Sequence, residues 1–423
     1  MQSEATYPLE TYRPRSVPLR AGALATLVFF ASTLPLGFLS LRAPGAGEAR
    51  IAEPPAPRLP VAAVMAAEAE VREAWEDRAF PGAALAVGVG PRVERLAAMG
   101  KLGWRDAAAP VSADSTLYDL ASLTKAVATT TAVLLLVQDG TIRLDDPVRR
   151  HLPEFYGRFK DRVTWRHLLT HTSGLPGGAV IRGSHPEERV RRILRTRIEE
   201  PPGRYVEYTD LGFVVLWEAA ERAAGEPLER YLERRVWHPL GMRDTRFLPG
   251  QGCTACAPTL RLRGGEPYRG RPHDLLARRL GGVTGSAGLF STARDLSRFA
   301  AMIANGGELD GVRILRPELA AEMLRQQPGA GNRTLGWVAI CPDEKRGERE
   351  PCREPLAVGH NGWTGTSLWI DPESRAWMVL LSNRSYDVRR RVEMQEVRAE
   401  AFRGLTGARA GGQGDRNPSG SAR

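Results

Sequence analysis

Residues 121–138 read ASLTKAVATTTAVLLLVQ. After Lys125 the run is apolar on nearly every helical face, and a helix of that length with no polar side belongs in the middle of a large globular fold. Lys125 interrupts it and Gly140 ends it, so it is a poor membrane span. Ser122 and Lys125 lie three residues apart, which puts hydroxyl and amine on one helical face. A serine opening a buried helix also has backbone N–H groups and the positive dipole end beside it, and these suit a developing oxyanion. Lysine can serve as a base only where burial lowers its pKa, and the apolar surroundings offer that. The plain alternative is an N-terminal serine with one snorkelling lysine.

Outward from this helix the chain is organised around it. Towards the N-terminus, residues 61–78 have helical periodicity. Gly82–Val89 and Val93–Trp104 then form a hairpin turned at Gly90-Pro91. From about 141 to 340 helical segments dominate, at 210–224, 227–236, 294–305 and 316–326. Residues 364–383 return to strand character around a turn at Asp371–Arg375, and 387–403 read as a C-terminal helix. Strands at both ends with helices between them indicate an α/β (α+β) fold, its helical lobe inserted between the two halves of the sheet.

The 423 residues carry a formal charge of +10, and 42% are hydrophobic, the balance of a chain that buries a core. All but four of the 59 basic residues are arginine, the lysines being Lys101, Lys125, Lys160 and Lys345. Acidic residues are interleaved with them and no basic block carries aromatics, which argues against a nucleic-acid partner.

Residues 1–20 form a basic n-region. The uncharged run 21–41 (AGALATLVFFASTLPLGFLSL) reads as a signal anchor, favoured over a cleaved signal peptide, and 42–60 as a linker. Arg13, Arg15 and Arg20 precede the run, which places everything beyond it outside the cytoplasm, in the periplasm or at the cell surface. Residues 406–423 read as a disordered tail, leaving 61–405 as the folded domain. In an exported chain Cys253, Cys256, Cys341 and Cys352 are expected to pair. Three connectivities are open, and the two sequence-local pairs come first.

Two further segments carry chemistry. Tyr208-Thr209-Asp210 stands at the head of the helical run 211–225, where Thr209 or Asp210 could be the N-cap and Tyr208 a hydrophobic staple. His360-Asn361-Gly362 opens the C-terminal strand pair, and its glycine lets a ligand lie against a strand edge. His167 and His171 have metalloprotease spacing but no glutamate follows His167, and no G-x-S-x-G elbow exists.

Taken together, S-x-x-K, Y-x-D about 85 residues later and H-x-G about 150 beyond resemble the β-lactamase-related serine hydrolases. That family includes class C β-lactamases, penicillin-binding DD-peptidases and esterase-like members. VTWRHLLTHTSGLP (163–176), PPGRYVEYTDLGFVVLWEAAER (201–222), VWHPLGMRDTRF (236–247), LGGVTGSAGLFSTARDLSRFA (280–300) and GHNGWTGTSLWIDPE (359–373) follow the family's order. The resemblance implies a β-lactamase/transpeptidase-like fold. It implies Ser122 as the acylated nucleophile, Lys125 as its base and Tyr208 as proton shuttle, with the N–H groups of Ser122 and Trp363 as oxyanion hole. Asp210, His360, Gly362 and Trp363 would line the substrate site. It implies no metal or organic cofactor. The expected substrate is a D-Ala-D-Ala peptide of peptidoglycan, with a small acyl ester next, then a β-lactam. The chain is expected to be a monomer, and a catalytically inactive binding relative is the rival from another class.

Two departures stand out. Asp210 replaces the family's asparagine, and a carboxylate near Lys125 would favour the ammonium, shift the base role towards Tyr208 and repel an anionic substrate. His360 replaces the lactamase lysine, which points to DD-peptidases and esterases. Ser286 stands where close relatives often have histidine.

Overall fold

Gly82–Val89 (GAALAVGV) has no charge and is buried along its whole length, as a central strand covered on both faces must be. In the computed structural model, which describes residues 58–342, 349–390 and 392–406, this strand pairs on both sides. Arg92–Gly100 lies on one side and Ala376–Ser382 on the other, with Ala83 opposite Ser382 and Val89 opposite Ala376. Ser367–Ile370, Ala357–Asn361 and Val338–Ile340 continue the antiparallel sheet of six strands. The N-terminal hairpin is thus completed by strands from the far end of the domain, as the sequence indicates.

The period-two alternation of a strand sorts its side chains between two cores. Leu85, Val87, Met378 and Leu380 join Val64, Val71 and Phe402 of the helices Val61–Glu76 and Met394–Thr406. Ala84, Ala86, Val379 and Leu381 face the other way, into the core of the helical lobe with Leu296 and Phe299 of the helix Ala293–Ala304. Gly88 sits at a register shift in the first hairpin. A Cβ there would run into the Arg92 carbonyl and the Trp377 indole. Gly88→Ala is therefore expected to lower stability by about 1–3 kcal/mol through overpacking. A shifted denaturant midpoint with unchanged acylation by a serine-directed probe would show it.

The 121–138 stretch is buried as expected, but it is not one regular helix. Lys125–Thr130 forms a π-helical turn, and the α-helix proper is Thr131–Gln138. Its threonines account for the departure: Thr130 Oγ1 donates to the Lys125 carbonyl at 2.8 Å, and Thr129 Oγ1 reaches out to the Gly285 carbonyl at 2.8 Å. Within 141–340, read as mostly helical, the chain also makes short strands, including Arg246–Phe247 and Leu289–Ser291. Strands of two or three residues leave no period in a sequence. The cysteines join as the two sequence-local pairs, Cys253–Cys256 and Cys341–Cys352.

Among the described residues no helix is long and apolar enough to cross a membrane. The n-region 1–20, the apolar run 21–41, the linker as far as residue 57 and the tail from 407 lie outside the described residues.

Candidate active site

A short strand, Tyr118–Asp119, pairs with Leu289–Ser291 and delivers the chain to Ser122. Ala121 holds a left-handed backbone conformation, φ +47°, which an alanine adopts only under constraint. Beyond it the helix begins, and Lys125 points back at Ser122 with its Nζ donating to Ser122 Oγ at 3.0 Å. The same Nζ donates to the Ser286 carbonyl at 2.8 Å and lies 2.7 Å from Asp210 Oδ1. An ammonium has three hydrogens, and Ser122 Oγ, the Ser286 carbonyl, Asp210 Oδ1 and Tyr208 surround them. Lys125 is fully buried. Burial alone would pull its pKa down, but the Asp210 carboxylate and Tyr208 outweigh it and the net shift is upward. A lysine so placed is held as an ammonium that donates in these hydrogen bonds.

Tyr208 and Asp210 reach this point because Thr209 caps the helix Asp210–Ala224, its Oγ1 accepting from Leu211 N at 3.2 Å. Tyr208 is not a buried staple: the residue is 37% exposed and its ring lies over Lys125 Nζ. His171 stacks against it with ring centroids 4.5 Å apart and accepts from Thr209 N through Nδ1 at 3.2 Å. Burial, reinforced by Arg333 and Lys125, holds the His171 pKa well below its usual value, so the ring is a neutral acceptor. His167 instead accepts from Thr164 N in the cap of the helix Trp165–Leu169. The two histidines serve different backbone segments, which removes the metalloprotease reading of their spacing.

His360 lies within a strand, Ala357–Asn361, rather than ahead of the strand pair. Its sequence, AVGHN, carries no alternation to reveal that strand. Burial first, and then Lys125 and Arg333, push the His360 pKa down to about 3 and keep the imidazole neutral. Its Nδ1 is 2.9 Å from the Asn361 carbonyl. Gly362 follows in a tight turn where a Cβ would strike the Leu120 carbonyl and Thr366 Oγ1, so only glycine lets the turn lie against the segment before Ser122. Thr364 Oγ1 donates to the Asp119 carbonyl at 2.6 Å and Thr366 Oγ1 to the Leu120 carbonyl at 3.0 Å. Trp363, between Gly362 and Thr364, is 70% exposed. Past Gly359, which pairs with Val338, the strand has no further partner on that side among the described residues.

A nucleophile turn, a proton-bearing cluster and an open strand edge thus meet at one point, drawn from three distant segments. The family sequence model described as Beta-lactamase matches residues 67–402. The chain belongs to the β-lactamase family. A provisionally named D-alanyl-D-alanine carboxypeptidase of Escherichia coli (strain K12) is 30% identical over 309 residues, covering 66% of this chain and 71% of that protein. The fold is the β-lactamase/transpeptidase-like one. The octameric penicillin-binding protein homologue from Pyrococcus abyssi superposes with a TM-score of 0.64 at 24% identity, covering 81% of this chain and 77% of its own. A class C beta lactamase from Rhodobacter sphaeroides gives 0.62 at 22% identity, covering 81% and 98%.

In this member of the β-lactamase family, three site features escaped sequence reasoning. The Ser286 carbonyl, an acceptor for Lys125, is a backbone atom and leaves no side-chain signature. Nothing in the sequence around His171 signals that its ring packs on Tyr208. Arg333 is buried with its guanidinium carbon 5.3 Å from the Tyr208 ring centroid, and it could not be singled out among so many arginines.

Proposed function

We propose that the protein is a serine hydrolase acting through an acyl-enzyme on Ser122, with D-Ala-D-Ala carboxypeptidase-like specificity, and that it works outside the cytoplasm behind the 21–41 segment. The observation that carries this reading is the Ser122–Lys125–Tyr208 cluster set beside the unpaired end of the Ala357–Asn361 strand. An extended peptide can add to such an edge by main-chain hydrogen bonds and present its carbonyl to Ser122. Arg333 brings positive charge to this end of the site, since its field reaches both His360 and His171. A C-terminal carboxylate seeks such a charge.

Ser122 Oγ attacks the peptide carbonyl while its proton passes to Tyr208, whose phenolate the Lys125 ammonium stabilises. The N–H groups of Ser122 and Trp363 receive the oxyanion. Tyr208 returns the proton to the departing amine, and water then cleaves the ester on Ser122. The names of the curated relatives support the peptide substrate. A second reading, an esterase on neutral acyl esters, is favoured by Asp210, whose carboxylate is 35% exposed at the site and opposes an anionic ligand.

The test is the intact mass of the purified chain after exposure to a penicillin, with Ser122→Ala as control. A stable adduct on the wild type, absent from the variant, is the expected result. No adduct, together with turnover of nitrophenyl esters, would replace the peptidase reading with the esterase. Failure of both, and of a fluorophosphonate to label Ser122, would leave an inactive relative.

A further inference from the structure

The geometry points to Asp119 as the positioning residue of the nucleophile: its buried carboxylate clamps the backbone so that Ala121 stays left-handed and the Ser122 N–H and hydroxyl are aimed at the substrate. The inference rests on Ser122 being the acylated residue. Asp119 is 1% exposed. One carboxylate oxygen accepts from Ala121 N at 2.9 Å, across the turn that precedes Ser122, and the other accepts from His273 N at 2.6 Å. The Asp119 carbonyl receives Thr364 Oγ1 from the Gly362–Thr366 turn. Asp119 therefore joins three segments: the nucleophile turn, the turn carrying Trp363, and the loop that leads into the helix Leu275–Arg279. A left-handed alanine reverts when its constraint is removed. The bond from Ala121 N is local to that residue, and the bond to His273 N fixes the second oxygen so that the first cannot rotate away.

Both bonds need a carboxylate that accepts at each oxygen. When the acid is protonated, one oxygen becomes a donor facing an N–H, and one bond is lost. Burial raises the Asp119 pKa to about 6, against the two backbone N–H groups that lower it. Asp274 raises it and Arg278 lowers it, both at the helix Leu275–Arg279, and Tyr268 also feels the Asp119 charge. The His273 imidazole is held neutral, mainly by burial. The Leu289–Ser291 strand and the Thr364–Thr366 segment offer no ionisable side chain.

Activity and stability consequently run in opposite directions through pH 6. The raised pKa means the fold favours the protonated acid. Asp119's contribution to stability is full below the unfolded carboxylate value and is lost as pH rises through about 6. The clamp forms over that same rise. Asp119→Asn reproduces the protonated state, with one acceptor and one misplaced donor.

The experiment follows fluorophosphonate labelling of Ser122 in the full-length chain by intact mass, between pH 5 and 8. Wild-type labelling should rise through pH 6. Asp119→Asn should lose that limb and label about 10- to 100-fold more slowly at pH 8. The loss should fall on the limiting rate and not on the half-saturating probe concentration, with the melting temperature at pH 8 retained. Asp274→Asn, which keeps its cap acceptor for Ala277 N, should keep the limb. Labelling of Asp119→Asn at the wild-type rate overturns the inference, and so does a flat wild-type profile or a limb abolished by Asp274→Asn. If Asp119→Asn does not fold, the wild-type and Asp274→Asn profiles decide by the same criteria. A wild type that takes no label overturns the acyl-enzyme reading and this one with it, whereas a labelled wild type with an unaffected Asp119→Asn overturns this one alone.

Discussion

Replacing Lys125 with methionine is expected to slow acylation of Ser122 by about a thousandfold or more. The ammonium is the one cation in direct contact with Ser122 Oγ among the described residues, and it is dry on every side. Its value lies in what it holds. It fixes the Ser122 hydroxyl, it anchors Asp210, and it brings its charge beside Tyr208, whose ring centroid lies 5.1 Å from Nζ. Methionine fills nearly the same volume, so the core around Lys125–Thr130 should close without a cavity. The structural losses are the donor to the Ser286 carbonyl and the partner of Asp210. An unsatisfied buried carbonyl costs about 1–3 kcal/mol. Asp210 is partly exposed and can recover water, so the fold should survive. The measurement is the rate of adduct formation with a fluorophosphonate, beside thermal denaturation of the same sample. A variant that labels within tenfold of the wild type would mean that Lys125 serves the fold and not the reaction.

The contrast between what the chain reveals as a string and what it reveals as a structure follows physical lines. Ser122, Lys125, Tyr208, Asp210 and His360 were legible because their side chains are rare in their settings. A lysine inside an all-apolar helix, or a histidine beside a glycine near a strand pair, breaks a pattern that packing would otherwise impose. The two-ended sheet was legible because Gly82–Val89 and 364–383 carry short apolar runs bounded by turn residues. Backbone features were not. The left-handed Ala121, the π-turn at Lys125–Thr130 and the Ser286 carbonyl depend on contacts between segments more than a hundred residues apart, such as Thr129 with Gly285 and Gly362 with Leu120. Arg333 was hidden for a different reason: in a chain whose cations are nearly all arginine, identity carries no information and only burial beside Tyr208 distinguishes it. The Asp210 substitution was legible in both forms. Its effect on Lys125, expected from charge alone, appears as a 2.7 Å contact.

Asp210→Asn should therefore change which substrates the protein accepts. Removing one negative charge about 8 Å from a ligand carboxylate, at an effective dielectric of about 20 to 40, is worth about 1–2 kcal/mol. That corresponds to a rise of roughly 5- to 30-fold in kcat/KM for carboxylate-bearing peptides, while neutral esters gain nothing from the charge change. The ratio of the two specificity constants is the diagnostic quantity, because any general damage to the site divides out. High salt should shrink the difference, since Asp210 is partly open to solvent. The substitution also acts on Lys125. Burial, already the largest single influence there, is then opposed by Tyr208 without the Asp210 carboxylate, so the lysine pKa falls and a rate that depends on its ionisation should move to lower pH. Stability follows the opposite limb. A raised lysine pKa contributes stability that is fully present below the unfolded value, near about 10.5, and is lost as pH climbs towards the folded value. The gap in melting temperature between wild type and Asp210→Asn should hold steady through neutrality and narrow only in alkali. Kinetics with a D-Ala-D-Ala peptide and a neutral nitrophenyl ester, run side by side on both proteins, measure the ratio. A ratio unchanged by the substitution would mean that the substrate's anionic end never comes near Asp210, and that selectivity for charge is set elsewhere along the strand edge, at Arg333 or beyond it.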